Sequence, residues 1–523
     1  MYFQTNVRKH QKSSMGLVVS IVIVLTVIGG GLFYMNIKKQ QEVHMLTVKA
    51  ESAIASGTLR KLSTALEDLN GSELTAEDPK LQQYQTLLTW MLWTDYGVKL
   101  NGVPDAAALT VDENSPLTLV VARGYADIYT GNLVDGEKAI KEARKTWPRE
   151  PFLGLLYARF ALERGLGDPA QLDEANARYF KAMDLYQAMP EDALRIDKAQ
   201  ILYGYARTVE LMGNQTGAVN NYTAALSSEP GYVWATVRNE IAKISPEMTF
   251  EEADAAIKKM IDDNEEILSP RQRSEMHLAR AMWALKTFNL DLAIERLNEA
   301  SRMDPYNIEP LLMLGRIYTH LGQEKLAGER IDSALKIAPK NLRSTCLKVA
   351  NLLAVGKVDE AKAIAAQVPE SAKFWLPAQM IELRVQMAEG NYEAAAEALK
   401  GLQEKNPKAF PPKVMNAMVL AATGSEEAKA AFDELLPEAR KAGLLFLTPI
   451  LQAHAAVLEQ GKDRAKLIEQ AFGAADANQN AMAIVFLAKT LIEEGKGEQA
   501  KPMLEAAKKY GDLPQIDALL SKI

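Results

Sequence analysis

The chain has 523 residues, 48% of them hydrophobic and 24% charged, so it is a folded protein rather than a disordered one. Its formal net charge is −7, and the repeat region carries no basic run, which argues against a nucleic-acid partner. A single cysteine, Cys346, excludes an intramolecular disulfide and a zinc site built on paired cysteines. Residues 1–12 are polar, with Arg8, Lys9, His10 and Lys12, and residues 13–37 carry no charge at all. The centre of that run, residues 16–35, is long enough to span ~30 Å of hydrocarbon at ~1.5 Å per residue. The alternative is a cleaved signal peptide with an apolar core at 18–28 and small residues at 29–31. Leu32, Phe33, Tyr34 and Met35 extend the apolar run past those glycines and favour an uncleaved anchor. The basic N-terminal flank slightly outweighs Lys38 and Lys39, which places the N-terminus in the cytoplasm and the bulk of the chain outside it.

Helix is expected to continue through 36–56 and to break at Ser56-Gly57. A second helix over 59–69 puts Leu62, Leu66 and Leu69 on one side. A third, over 78–99, carries Tyr84, Trp90, Trp93 and Tyr96, a stripe expected to close the end of the repeat stack. Residues 101–116, with Pro104 and Pro116, read as a connection.

From 117 onward helical hairpins recur. The clearest is 308–341, where Leu311, Leu314, Tyr318 and Leu321 give the first helix an apolar face. Gly315 allows close approach of a second helix, Gly322 stops the first, Ala327, Ile331 and Ala334 face inward from the second, and Pro339 ends it. Shifts of 34 residues place 274–307, 342–375 and 376–409 in the same register. Residues 117–150, 151–190, 199–232 and 481–514 follow it less strictly, 151–190 with an insertion near 165–169. Residues 233–273 are degenerate, with a capping box expected from Thr249 and Glu252, and 410–442 and 443–480 are weak hairpins.

Small or aromatic residues at the signature positions, Ala at positions 20 and 27 and Pro at 32, make these units resemble the tetratricopeptide repeat (TPR) family. The resemblance covers roughly 117–514 and implies an all-α TPR helical-hairpin solenoid, an α-α superhelix, preceded by one N-terminal transmembrane helix. The expected order is a cytoplasmic tail at 1–12, a transmembrane anchor at 13–37, a helical membrane-proximal region at 38–116, the TPR solenoid at 117–514 and a capping helix at 515–523. A hairpin cannot bury its apolar face alone, so neighbours are expected to supply the core, each touching only the next.

No catalytic motif is present, and no cofactor is expected. The five histidines, His10, His44, His277, His320 and His454, are scattered, which leaves no metal set; His277 and His320 read as exposed. Cys346 reads as packing. Asn70, Asn214 and Asn221 fall in glycosylation sequons. In the TPR family, positions 2, 5, 9 and 12 of successive first helices line a concave groove. Carried onto this chain, they are Glu275, Leu278, Met282 and Leu285; Glu309, Leu312, Arg316 and Thr319; Arg343, Cys346, Ala350 and Leu353; Pro377, Met380, Arg384 and Met387; and Pro411, Val414 and Met418. The Lys/Asn/Lys/Arg set with which some family members hold a chaperone's terminal carboxylate is absent from them. Met282, Arg316, Met380, Arg384 and Met387 are the candidate partner-binding residues, expected to be partly exposed and to suit an apolar segment with an acidic flank. The resemblance implies a non-enzymatic, membrane-anchored TPR scaffold or adaptor that binds proteins, on the periplasmic side of a bacterial inner membrane, with no nucleic-acid or small-molecule ligand. A cytosol-facing TPR receptor on an organelle membrane and a non-catalytic helical subunit of an enzyme or secretion complex are the alternatives.

Overall fold

The computed structural model describes residues 7–244, 247–287, 289–407 and 409–523, without the side chains of 7–18 and 22–29. The expected tail at 1–12 and much of the uncharged run at 13–37 therefore lie outside the described side chains. Among the described residues no strand occurs, and every regular element is a helix. The first helix runs Val7–Ser56 and stops at Gly57, whose φ of 64° is the left-handed cap anticipated for it. Among the described residues no helix is long and apolar enough to cross a membrane. The second helix, Leu59–Gly71, buries Leu62, Leu66 and Leu69 as its spacing requires.

From Leu117 the chain is a succession of antiparallel hairpins, from Leu117–Thr130 against Leu133–Thr146 to Ala481–Glu493 against Gly497–Tyr510. The hairpin Ile308–Leu321 and Glu324–Ile337 is built as its residues dictate. Leu314, Ala327, Ile331 and Ala334 are fully buried, and Gly315 sits so close to Ile331 that a Cβ there would lie 2.8 Å from it. The capping box on Thr249 forms, with both the side-chain and the backbone arm in place. This is an all-α helical-repeat solenoid.

The solenoid also touches itself across far larger separations, and here the nearest-neighbour expectation is overturned. Trp375 donates its indole N–H to the Arg164 carbonyl, 211 residues away, at 3.3 Å. Arg271 reaches the Thr94 carbonyl at 3.2 Å, and the Lys340 amide donates to the Thr130 carbonyl at 3.2 Å. Further along, Gln323 donates to the Tyr510 carbonyl over a separation of 187, and Gln515 to that of Ala354 over 161. One turn of the superhelix thus takes roughly five to six 34-residue units, and each turn rests on the next. The contact points are the hairpin loops. Gly322, at φ 78°, lies against Leu513 and Ala481, and a side chain on Gly511 would collide with the Gly322 carbonyl.

One expectation changes as a result. The aromatic stripe does not close an end. Trp93 is fully buried between Tyr129 (centroids 5.5 Å) and Tyr306 (4.9 Å), so it is wedged between turns. The last helix, Gln515–Leu520, buries Ile516 and Leu519 and also reaches back to the repeat at 342–354.

One core joins Ala281, Leu314 and Ala327 to Phe446, Ile484 and Leu504. Replacing Ala327 with Trp should overpack it and cost roughly 1–3 kcal/mol or more. Hydrogen exchange should then show amides of 481–510 losing protection together with those of 308–341; an effect confined to 308–341 would mean that the turns do not stack.

His454 lies in the same core, stacked on Phe432 at 4.8 Å and 3.9 Å from the Phe486 ring centroid. Burial pushes its imidazole down from 6.5 to about 4. The unfolded chain therefore binds the extra proton first, and stability falls as pH drops through the window from 6.5 to 4. At pH 5 that loss is about 2 kcal/mol, from ~1.36 kcal/mol per pKa unit. His454→Phe should remove this part of the slope in melts taken between pH 7 and pH 5.

Candidate functional site

The first helices of four consecutive repeats, Ile308–Leu321, Leu342–Ala354, Leu376–Ala388 and Phe410–Ala422, stand side by side around one cavity of about 550 Å³. Its wall contains Glu309, Leu312, Arg316 and Thr319 from the first helix. Arg343, Cys346, Ala350 and Leu353 come from the second, and Pro377, Met380, Arg384 and Met387 from the third. Pro411, Val414 and Met418 come from the fourth. These are positions 2, 5, 9 and 12 of each unit, so the register locates the cavity wall residue by residue in these four repeats. The far side is closed by the next turn, through Leu447, Ile450, Leu451 and Met482, and a corner by Leu166 and Gly167 from the insertion.

Four of the five candidate residues, Arg316, Met380, Arg384 and Met387, meet there. Met282 does not. It packs instead against the core that the C-terminal repeats bring to the 281–297 hairpin. Glu275 of the same repeat is likewise occupied, with Arg238 and with Asn307 at 3.2 Å. Met380 departs from the expected partial exposure: it is 3% exposed, in a small core with Leu376 and Leu383, and offers the cavity only one edge. Met387 is half-buried.

Charge is distributed unevenly over this wall. Arg343 grips Glu309 with two hydrogen bonds of 2.7 and 2.8 Å. Burial works against the Glu309 carboxylate, yet the Arg343 guanidinium beside it holds it below the usual range. Among the described residues Arg384 donates only to the Cys346 carbonyl (3.4 Å) and sulfur (3.3 Å). Arg316 lies over the Phe446 ring at 5.6 Å. Burial first, then the neighbouring Arg384 and Arg343, push Arg316 down to about 10, so it stays cationic at neutral pH. Part of its surface is open, but toward the cavity and well below the outer surface. His320, which the sequence alone suggests is exposed, lines the cavity, with its ring 5.5 Å from Phe446. Burial and then Arg316 and Arg384 push it down to about 3, so it is neutral. The other histidine expected to be exposed, His277, is buried with its Nδ1 3.1 Å from Glu299.

Arginine recurs at position 9 of the repeat, and its partners differ along the chain. In the unit at 151–190 the ninth residue is Arg159, paired with Asp95 at 2.6 Å. In the unit at 199–232 it is Arg207, paired with Glu210 at 2.6 Å. There, Tyr125, Tyr203 and Trp234 add rings to the same interior; Tyr203 and Trp234 are 6.1 Å apart. Arg316 and Arg384 are the ninth residues of their own units. Among the described residues no carboxylate stands within ion-pair distance of either. The first turn thus fills its interior with its own groups, and the second leaves two cations facing a void.

No family model matches the chain, and no curated protein matches it. Among solved structures it is similar to the Cut9–Hcn1 hetero-tetramer of the APC/C, at 13% identity over 88% of this chain and 83% of that one, with a TM-score of 0.39. It is also similar to a Rap protein complexed with competence and sporulation factor, at 14% identity over 71% and 99%, TM-score 0.41. A human IFIT1 dimer with PPP-AAAA gives 15% identity over 73% and 94%, TM-score 0.35.

Met380→Ala should cost about 2–5 kcal/mol, as a buried methionine truncation does. Met387→Ala should cost less than half of that, because its side chain is half-wet already. Equal losses in denaturant melts would mean that the two methionines have the same surroundings.

Proposed function

We propose that this TPR-type solenoid is a scaffold that holds protein partners beside a bacterial inner membrane, on the periplasmic side, and that its second-turn cavity captures an apolar group bearing a carboxylate. The observation that carries the capture reading is the meeting of four successive repeats' groove positions around one void, with Arg316 and Arg384 unpaired in it. Methionine and leucine walls adapt to an apolar body, and the two guanidinium groups answer an acid. Met380 sets the shape of the wall, and Met387 and Met418 offer the more accessible thioethers.

The tether reading rests on the uncharged run at 13–37 and on the side chains described at its end. Leu32, Phe33, Tyr34 and Met35 are each more than 60% exposed on a helix that runs on into the body of the protein. Apolar side chains left bare in this way suit a hydrocarbon surrounding better than water. Lys38 and Lys39 follow directly, at the level where headgroups would stand.

A C-terminal alkaline-phosphatase fusion should be active in a bacterial host, and a fluorescent fusion that matures only in the cytosol should stay dark. The opposite pair of results would reverse the orientation. Release of residues 36–523 into a soluble fraction by signal peptidase would replace the anchor with a cleaved leader. Crosslinking in membranes, followed by identification of the captured proteins, then names the partners.

A further inference from the structure

We infer that the occupant of the second-turn cavity is a long-chain fatty carboxylate, with its acid group between Arg316 and Arg384 and its acyl chain along the methionine and leucine walls. The inference rests on the reading of this cavity as a capture site and names what is captured.

Size is the first argument. A cavity of 550 Å³ lies in the range of small-molecule sites, roughly 300–1,000 Å³. A helix of 10–12 Å diameter and 5.4 Å pitch fills roughly 400–600 Å³ per turn, so a helical segment of a partner would find room for about one turn. An extended peptide meets a different obstacle. Each buried residue brings a backbone N–H and C=O that need partners. Among the described residues no Asn or Gln lines the cavity, the Glu309 carboxylate is already held by Arg343, the Thr319 hydroxyl donates to the Gly315 carbonyl, and the neutral His320 imidazole brings one donor and one acceptor at most. An acyl chain has no such groups, and its one polar end is an acid.

Charge is the second argument. Along the solenoid the chain answers its position-9 arginines with carboxylates of its own at Asp95 and Glu210, and among the described residues it does not do so at Arg316 and Arg384. A buried cation without a counter-ion opposes folding, and a ligand carboxylate removes that cost. Both guanidinium groups line this one cavity, and the charge of each reaches His320 beside them. The neutral imidazole adds no competing charge.

Cys346 provides the readout. It is the chain's only cysteine, it lines the cavity, and its sulfur touches Arg384. The full chain in nanodiscs of zwitterionic lipid is treated with a maleimide, alone or with palmitate, hexadecanol or a short apolar peptide ending in Asp. Each rate is compared with that of the same protein without ligand, so that a change in intrinsic thiol reactivity cancels. Palmitate should slow alkylation by about tenfold at ten times its dissociation constant. Hexadecanol and the peptide should not slow it. Protection should vanish in R316Q/R384Q, which should melt no lower than the wild type. It should also vanish in Ala350→Trp, which fills the void and keeps both arginines, so the test stands even if R316Q/R384Q does not fold. Equal protection by hexadecanol would show that the acid is not recognised and would overturn the inference. Protection by the peptide but not by palmitate would keep the capture reading and overturn the fatty carboxylate. Protection by none of the three would overturn both.

Discussion

The resting of one superhelical turn on the next is the constraint on which the rest of this molecule depends. It is made at loops. The Gly322 loop lies under Leu513 and Ala481 and leaves Gly511 no room for a side chain, and the loop at Thr130 takes a backbone hydrogen bond from Lys340. A residue with a Cβ at Gly322, or at Gly131 after Thr130, would hold the turns apart, since the left-handed cap and the close approach fall on the same glycine. An open solenoid buries each hairpin only against its two neighbours. Here one core joins the hairpins at 281–331 to those at 432–519, so these distant repeats gain or lose order together.

Winding this tight turns a groove into an interior, and the chain fills its two interiors differently. In the first turn, Tyr96 donates to the Gly57 carbonyl at 2.6 Å, Trp234 donates to that of Asp95 at 3.1 Å, and Arg159 pairs with Asp95. Aromatic rings and matched charges occupy that interior. In the second turn the corresponding positions carry Met380, Met387 and Met418 with Arg316 and Arg384, and a void remains. Glu309 and Arg343 stand between the two regions, near enough to Glu163 for its charge to bear on both. One architecture thus provides a packed half that holds shape and a half with room for a ligand.

Much of this is legible in the residues. The 34-residue spacing of Gly, Ala and Pro locates the hairpins because those residues mark local events: a left-handed cap, a close helix contact, a stop. The positions facing the cavity follow from the same register, since a helix presents residues 2, 5, 9 and 12 to one side. What the residues do not disclose is carried by partners in distant repeats. Nothing local marks Trp93 as a wedge between turns, Leu166 and Gly167 as a corner of the cavity, or Leu447 and Met482 as its lid. Met282 has the right register and the wrong neighbour, because the C-terminal repeats cover its helix. His320 looks exposed for the same reason, since Phe446 belongs to another unit, whereas His277 is met by Glu299 of its own hairpin. The arginine at position 9 was the available signal. Its recurrence at 159, 207, 316 and 384 is plain in the sequence, and only the fold tells which of the four lack an acid.

The central claim is that the superhelix closes on itself, and distances between labels on successive turns test it most directly. With Cys346 replaced by Ser, spin labels at 130 and 340 and, in a second variant, at 323 and 510 sit on loops that hydrogen-bond across the turns. Pulsed spin-resonance on the full chain should give a short, narrow distance distribution for both pairs, and addition of ligand should leave it unchanged. Long, broad distributions for either pair would describe an open solenoid and would contradict the account.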